Sequence, residues 1–385
     1  MIKNKIKVIM TTILPVLSFF VPKKKGLWIF GSWQGRNYSD NSKYMYEYIV
    51  NNHPEVNAVW ITRNEKIASK LNAEGKIAYM RFSVRGIVAC LRAEMAFETE
   101  GNQDISPFLN NNKTITIQLW HGFPIKALKW KKENGKRKMT PAKKMNKYHW
   151  ISCSPQYTTI MSEILGILPE RFVSTGFPRN DTFVNRKENV DILRVFSQYP
   201  GKKFVIYMPT HRNFGSKGLI EFINMETFLE LDRLLGKNNL IMIYKPHFHE
   251  IKKFLKFENQ FRNIIFAKDA MWNDVYSYLH MFDLLISDYS SVLVDFICAD
   301  KPVIYFPYDI EEYKENDAGL NDFYWTKPVG PMCFSWENVV DTASSLLSED
   351  YWKSNRRKHL SFYQTFNDGQ NCERVYQYAF SLRKK

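Results

Sequence analysis

Short apolar runs alternate along most of the chain with stretches in which apolar residues recur every three or four positions. Runs at 27–32 (LWIFGS), 58–63 (AVWITR), 76–80 (KIAYM), 95–100 (MAFETE), 114–120 (TITIQLW), 149–154 (HWISCS) and 171–176 (RFVSTG) predict strands. The periodic stretches 41–52 (NSKYMYEYIVNN) and 83–94 (SVRGIVACLRAE) predict helices between them. This alternation is the pattern of a doubly wound parallel sheet. It pauses at 186–202, a polar stretch with a Pro-Gly break, and then restarts with strands at 203–209, 239–246, 263–267, 283–287 and 302–307 and a helix at 290–299. The chain therefore reads as two Rossmann-like halves, 26–185 and 203–385, the second ending in a C-terminal helix, with 186–202 as a linker. A cleft between such halves would be faced by the polar residues at the carboxyl ends of the strands.

The amino terminus departs from this rhythm. Its apolar run from Val8 to Val21 is 14 residues long, short of the roughly 20 that span a bilayer. It meets Lys23, Lys24 and Lys25 where a signal peptide would carry a small-residue cleavage site. Basic residues on both flanks fit an amphipathic segment, 1–25, lying on the cytoplasmic leaflet.

Charge sharpens the picture. The 385 residues carry 54 Lys+Arg against 39 Asp+Glu, a net +15 that favours anionic partners. Ten basic residues and one acid, Glu133, fall between Lys126 and Lys147, with Trp130 and Met139 among them. That mixture suits an anionic membrane better than a nucleic-acid groove, and no nucleic-acid partner is expected. Cys90, Cys153, Cys298, Cys333 and Cys372 lack any pairing pattern and read as buried thiols.

Chemistry collects at the predicted strand ends. Trp120 to Lys126 (WHGFPIK) follows one strand and Gly176 to Asp181 (GFPRND) another. In the second half, Thr210, His211 and Arg212 follow the first strand, Lys245, Pro246 and His247 the next, and Asp288, Ser290 and Ser291 the fourth. Basic side chains and serines at a helix start suit the oxygens of a nucleotide diphosphate. No GxxxxGK[ST] loop, no GxGxxG turn opening the first helix, no Asp-x-Asp and no His/Cys cluster with metal spacing is found. A P-loop enzyme and a dinucleotide-dependent dehydrogenase are thereby disfavoured, and neither a catalytic metal nor a cofactor is expected. The remaining chemistry is group transfer from an activated nucleotide with histidine as base.

In this order, QLWHGFPIK, STGFPRND, YMPTHR, YKPHF, ISDYSSVLVDF and KPVIYFPYDIEEY resemble the motifs of the CDP-glycerol:poly(glycerophosphate) glycerophosphotransferase family. GSWQGRNYSDNSKYMYEYI (31–49) is similar to that family's opening motif and FNDGQNCERV (366–375) to its closing one. The resemblance implies a GT-B-like α/β fold: two Rossmann-like doubly wound domains facing across a cleft, the second holding the nucleotide. It also implies peripheral attachment to the cytoplasmic face of the cell membrane. The implied reaction moves glycerol phosphate from CDP-glycerol to a hydroxyl of a lipid-linked acceptor and releases CMP, in teichoic acid or capsule synthesis.

By the same resemblance His121 and His247 are catalytic. His121 takes the acceptor's proton; His247, with Lys245 and Arg212, stabilises the phosphoryl oxygens and leaving CMP. The opposite division is open, because either imidazole titrates near neutral pH. Thr210, Arg212, Lys245, Ser290, Ser291 and Asp295 fall on the CDP-polyol side, and Lys126, Lys129, Lys131 and Lys132 on the acceptor or membrane side. Phe123 stands where threonine is usual and His211 where an aromatic is usual. A CDP-ribitol transferase or a GT-B glycosyltransferase with a nucleotide-sugar donor are the alternatives.

Overall fold

A computed structural model of the chain describes residues 20–106, 113–127, 132–133, 136–137, 145–212, 224–246, 260–268, 270–316 and 319–383. His247, Lys129, Lys131 and most of the 1–25 segment lie outside the described residues, and of Lys132 only the backbone is described. The chain forms two compact units: 1–121, 139–181 and 368–385 make the first, 122–138 and 182–367 the second.

The first unit is built on β1 (Lys24–Phe30), β2 (Asn57–Thr62), β3 (Ala78–Met80), β4 (Ala93–Glu98), β5 (Ile115–Gln118), β6 (His149–Ser152) and β7 (Phe172–Ser174), in the order β3-β2-β1-β4-β5-β6-β7. Every pairing is parallel. The second unit has β8 (Lys203–Met208), β9 (Leu240–Tyr244), β10 (Ile264–Phe266), β11 (Leu284–Ser287) and β12 (Val303–Tyr305), ordered β10-β9-β8-β11-β12 and again parallel. Each strand falls on one of the apolar runs, although β1 starts at Lys24 rather than Leu27. In both sheets the order reverses beside the first strand, between β1 and β4 and between β8 and β11. The loops leaving those strands splay apart there, which is where open α/β sheets bind ligands.

The helices follow from spacing and caps. In α3 (Met225–Lys237), Phe228, Leu231 and Leu235 recur at one helical face and pack on Val205, Tyr207 and Met242 of the sheet. The Asn224 side chain accepts the Thr227 N–H at 2.8 Å and starts the helix. On the same core, α5 (Trp336–Ser348) buries Trp336, Val339, Val340 and Ala343, with Ser335 as its cap. All five cysteines are buried free thiols.

The units divide the chain differently from the boundaries expected from sequence. Residues 186–202 belong to the second unit, because the helix Val190–Phe196 ends with Phe196 stacked on Phe204 at 3.7 Å. Residues 122–138 also belong there: the Asn321 amide donates to the Pro124 carbonyl at 2.6 Å, and Phe123 packs edge-on against Phe323 and Tyr363. Phe123, the departure from the family motif, is thus a buried packing residue. The C-terminal helix α6 (Asn371–Leu382) joins the first unit instead of the second. Asp181 accepts the backbone N–H of Asn371 at 2.9 Å and of Cys372 at 2.8 Å, capping α6 from a distant part of the chain. Tyr376 Oη donates to Glu55 at 2.8 Å, and His149 hydrogen-bonds Tyr378 at 2.7 Å. Replacing Asp181 by Ala orphans two buried donors and should cost about 2 kcal/mol, read as a lower urea midpoint at unchanged m value.

Candidate active site

His121 stands at the end of the first unit's β5, after Gln118, Leu119 and Trp120. Trp120 has φ +51°, an unfavourable backbone setting for an aromatic residue. The setting is held from both sides. The Asn41 amide of α1 (Asp40–Asn52) donates to the Leu119 carbonyl at 3.0 Å and the Trp120 carbonyl at 2.9 Å, and Gln118 Oε1 accepts the Trp120 N–H at 3.0 Å. The turn lays the Trp120 indole on the His121 ring at 4.4 Å and 25°, with Trp33 at 5.8 Å.

One contact of the imidazole bears on its tautomer. Nδ1 lies 3.5 Å from the Thr99 carbonyl. A carbonyl only accepts, so the tautomer making this long contact carries its proton on Nδ1 and leaves a lone pair on Nε2. Burial pushes the imidazole below the ordinary histidine range; the Asp40 carboxylate opposes the shift and the Arg179 guanidinium adds to it. His121 is therefore neutral at pH 7 and equipped to accept a proton at Nε2.

Asp40 and Arg179 form a buried ion pair at 2.8 Å, and Asn41 Oδ1 accepts the Arg179 N–H at 3.1 Å. Asp40 itself sits at φ +65°. Sequence reasoning assigned none of Asp40, Asn41 and Arg179, although all three lie in motifs that carried the family resemblance. They join the turn before His121 to the loop after β7.

In the second unit the loops at the sheet reversal are bound by one arginine. Arg212 donates from Nη2 to Asp288 at 2.7 Å and Asp309 at 2.9 Å, from Nε to Asp309 at 2.6 Å, and from Nη1 to the Thr210 carbonyl at 2.6 Å. Asp288 also accepts the N–H groups of Thr210 at 2.9 Å and Tyr289 at 2.6 Å. Tyr289 Oη donates to Asp309 at 2.9 Å. The loops after β8, β11 and β12 are thereby locked together. The Arg212 and Asp288 side chains are 0% exposed. The guanidinium, expected to face the diphosphate, is instead consumed inside the protein, where two carboxylates keep it firmly protonated against the cost of burial. Asp309 was missed by sequence reasoning.

Asp295 is likewise turned inward. Its oxygens accept from Tyr276 Oη at 2.7 Å and Gln364 Nε2 at 3.1 Å, and the residue is fully buried. It fastens α4 (Val292–Phe296) to the interior of the second unit.

The remaining residues line up differently. Ser290 and Ser291 are half-buried at the start of α4, and Ser290 Oγ accepts the Val292 N–H only at 3.4 Å. Ser291 makes no side-chain capping bond among the described residues. The Thr210 hydroxyl is buried without a hydrogen-bond partner among the described residues. Lys245, half-buried at the end of β9, is lowered to about 8 by burial, with Asp274 opposing. Lys126 bridges to Leu320 and holds its Nζ 5.4 Å from the Tyr313 ring centre.

Two parallel doubly wound sheets, with serines and a lysine at strand ends of the second and a neutral histidine at a strand end of the first, suit a group-transferring α/β enzyme. The family model for CDP-glycerol:poly(glycerophosphate) glycerophosphotransferases matches residues 13–381, and the chain belongs to that family of transferases. It is 28% identical over 348 residues to the teichoic acid poly(glycerol phosphate) polymerase of Bacillus subtilis, covering 86% of this chain but 45% of the polymerase. It is 25% identical to the teichoic acid glycerol-phosphate transferase of Staphylococcus aureus, over 99% of this chain and 100% of that protein. The chain thus spans less than half the length of the first relative and the whole of the second. The fold matches that of the wall teichoic acid polymerase TagF, solved as a variant soaked with CDPG, at a TM-score of 0.77 and 24% identity, covering 100% of this chain and 96% of that one.

Proposed function

We propose that the chain transfers glycerol phosphate from CDP-glycerol to a hydroxyl of a lipid-linked acceptor at the cytoplasmic face of the membrane, in teichoic acid or capsule synthesis. The observation that carries the reading is His121: neutral, with its Nε2 lone pair left open by the Thr99 contact. The acceptor oxygen attacks the β-phosphorus while its proton passes to Nε2. The bond from that phosphorus to the bridging oxygen breaks, and CMP leaves with the electron pair. Ser290, Ser291, the Thr210 hydroxyl and the Lys245 ammonium bind the CDP-polyol phosphates, and His247 assists the leaving CMP. Arg212 acts by tying the loops together and Asp295 by fastening α4 behind them, rather than by touching the donor. Lys126, Lys129, Lys131 and Lys132 serve the acceptor and membrane side.

CMP release assayed with CDP-glycerol, CDP-ribitol and UDP-sugars tests the donor. Turnover with CDP-glycerol is expected, and turnover confined to UDP-sugars would overturn the reading. The lysine adds a pH signature. Lys245 must be protonated to attract phosphate, and burial places its free-enzyme pKa at about 8. The KM for CDP-glycerol should rise as pH passes through that value, by up to about tenfold per unit, whereas a Lys245→Arg enzyme should lose that limb.

A further inference from the structure

Helix α2 (Val84–Arg92) is amphipathic in the wrong sense for a helix that simply covers a sheet. Its inward residues are small: Gly86, Ala89 and Cys90 are buried. A Cβ at position 86 would lie 2.1 Å from the Met80 carbonyl oxygen, so glycine permits the close approach of the helix to the end of β3. The larger branched residues point the other way. Val84 is 79% and Val88 46% exposed, and Ile87 and Leu91 on the same stripe are half-buried. Arg85 and Arg92 flank that stripe and are exposed.

The chain entering the first unit passes this helix. Lys23 Nζ donates to the Leu91 carbonyl and to Thr114 Oγ1, both at 2.8 Å, so the chain reaches β1 past the carboxyl end of α2. Phe20, just upstream, is 80% exposed, and Lys24 and Lys25, just downstream, are exposed too. An apolar stripe with a cationic border, at the point where an apolar, lysine-flanked segment joins the fold, has the chemistry of a surface that rests on anionic lipid.

We propose that the outer face of α2 (Val84, Ile87, Val88 and Leu91) docks on the anionic bilayer surface, with Arg85 and Arg92 meeting lipid phosphates. The inference rests on the peripheral-membrane reading above and adds the folded surface that makes the contact. A second copy of the chain is a poorer occupant, because it would bring the same arginines against each other.

Flotation of the full-length chain with phosphatidylglycerol and with phosphatidylcholine vesicles tests it, comparing wild type with a Val84→Asp/Val88→Asp variant. Wild type should float with the anionic vesicles alone, and the variant's partition coefficient should fall at least tenfold at unchanged circular dichroism and melting temperature. Wild type that fails to float would overturn the membrane reading itself. Wild type and variant floating equally would overturn the α2 surface alone. Because the native thiols are buried, a Val88→Cys chain labelled with a polarity-sensitive dye supplies a second readout that does not rely on the double variant. A blue shift with phosphatidylglycerol supports insertion of this face. No shift, or a concentration-dependent shift without vesicles that marks self-association, contradicts it.

Discussion

An Arg212→Ala chain should lose about 3–5 kcal/mol of stability in the second unit, because the substitution strands two buried carboxylates without their cation. Asp288 and Asp309 would then face each other's charge while three loops lose the guanidinium that joins them. For a unit of this size such a loss lowers the melting temperature by about 10 °C. Arg212→Lys should recover little of it, since a single ammonium cannot reproduce a planar fork bridging two carboxylates and a carbonyl. The contrast with a ligand role is direct. Were Arg212 a phosphate contact, Arg212→Ala would melt like wild type and raise the KM for the donor. Differential scanning calorimetry with and without donor separates the two, and loss of stability in the unliganded protein is the expected result.

A His121→Ala chain should retain its fold and lose about 10³-fold in kcat, the middle of the range for a positioned general base. The imidazole packs against two indole rings, so the alanine variant removes packed aromatic surface as well as the base; His121→Gln keeps more of the side chain and should be equally inactive. The pH dependence supplies a second mark. Because burial lowers the His121 pKa, the acidic limb of kcat/KM should fall below pH 6.5, the ordinary histidine value. The rate then declines as pH falls through that limb, because the imidazolium has no lone pair to offer. Removing the Arg179 cation while keeping size, as in Arg179→Met, leaves Asp40 unopposed beside His121 and should move the limb upward. A merely structural role for Arg179 would lower stability without moving the limb.

Much of the architecture was legible in the sequence. The apolar runs marked the strands because a parallel sheet covered on both faces leaves its strands little but apolar residues. The unit boundaries were not, since they depend on long-range partners. Nothing local to 368–385 says that Asp181 caps its helix, 190 residues away from Asn371. For the candidate site, the motifs named loops at the strand ends but not the direction of each side chain. Arg212 and Asp295 looked like ligand contacts because charge beside a phosphate-suited loop reads the same whether it faces solvent or the interior. Asp288 and Asp309 for the first, and Tyr276 and Gln364 for the second, none of them adjacent in sequence, turn them inward. The Asp40–Arg179 pair escaped for the same reason, its members lying 139 residues apart.

The central claim is that glycerol phosphate moves from CDP-glycerol to an acceptor hydroxyl with His121 as the base. The most direct test follows radiolabel from CDP-glycerol, labelled in the glycerol, into a defined lipid-linked acceptor under single-turnover conditions. The wild-type chain should place one labelled unit in the lipid fraction for each CMP released, and His121→Gln should slow both about 10³-fold together. Label that stays out of the acceptor, or a His121→Gln chain that transfers at the wild-type rate, would contradict it.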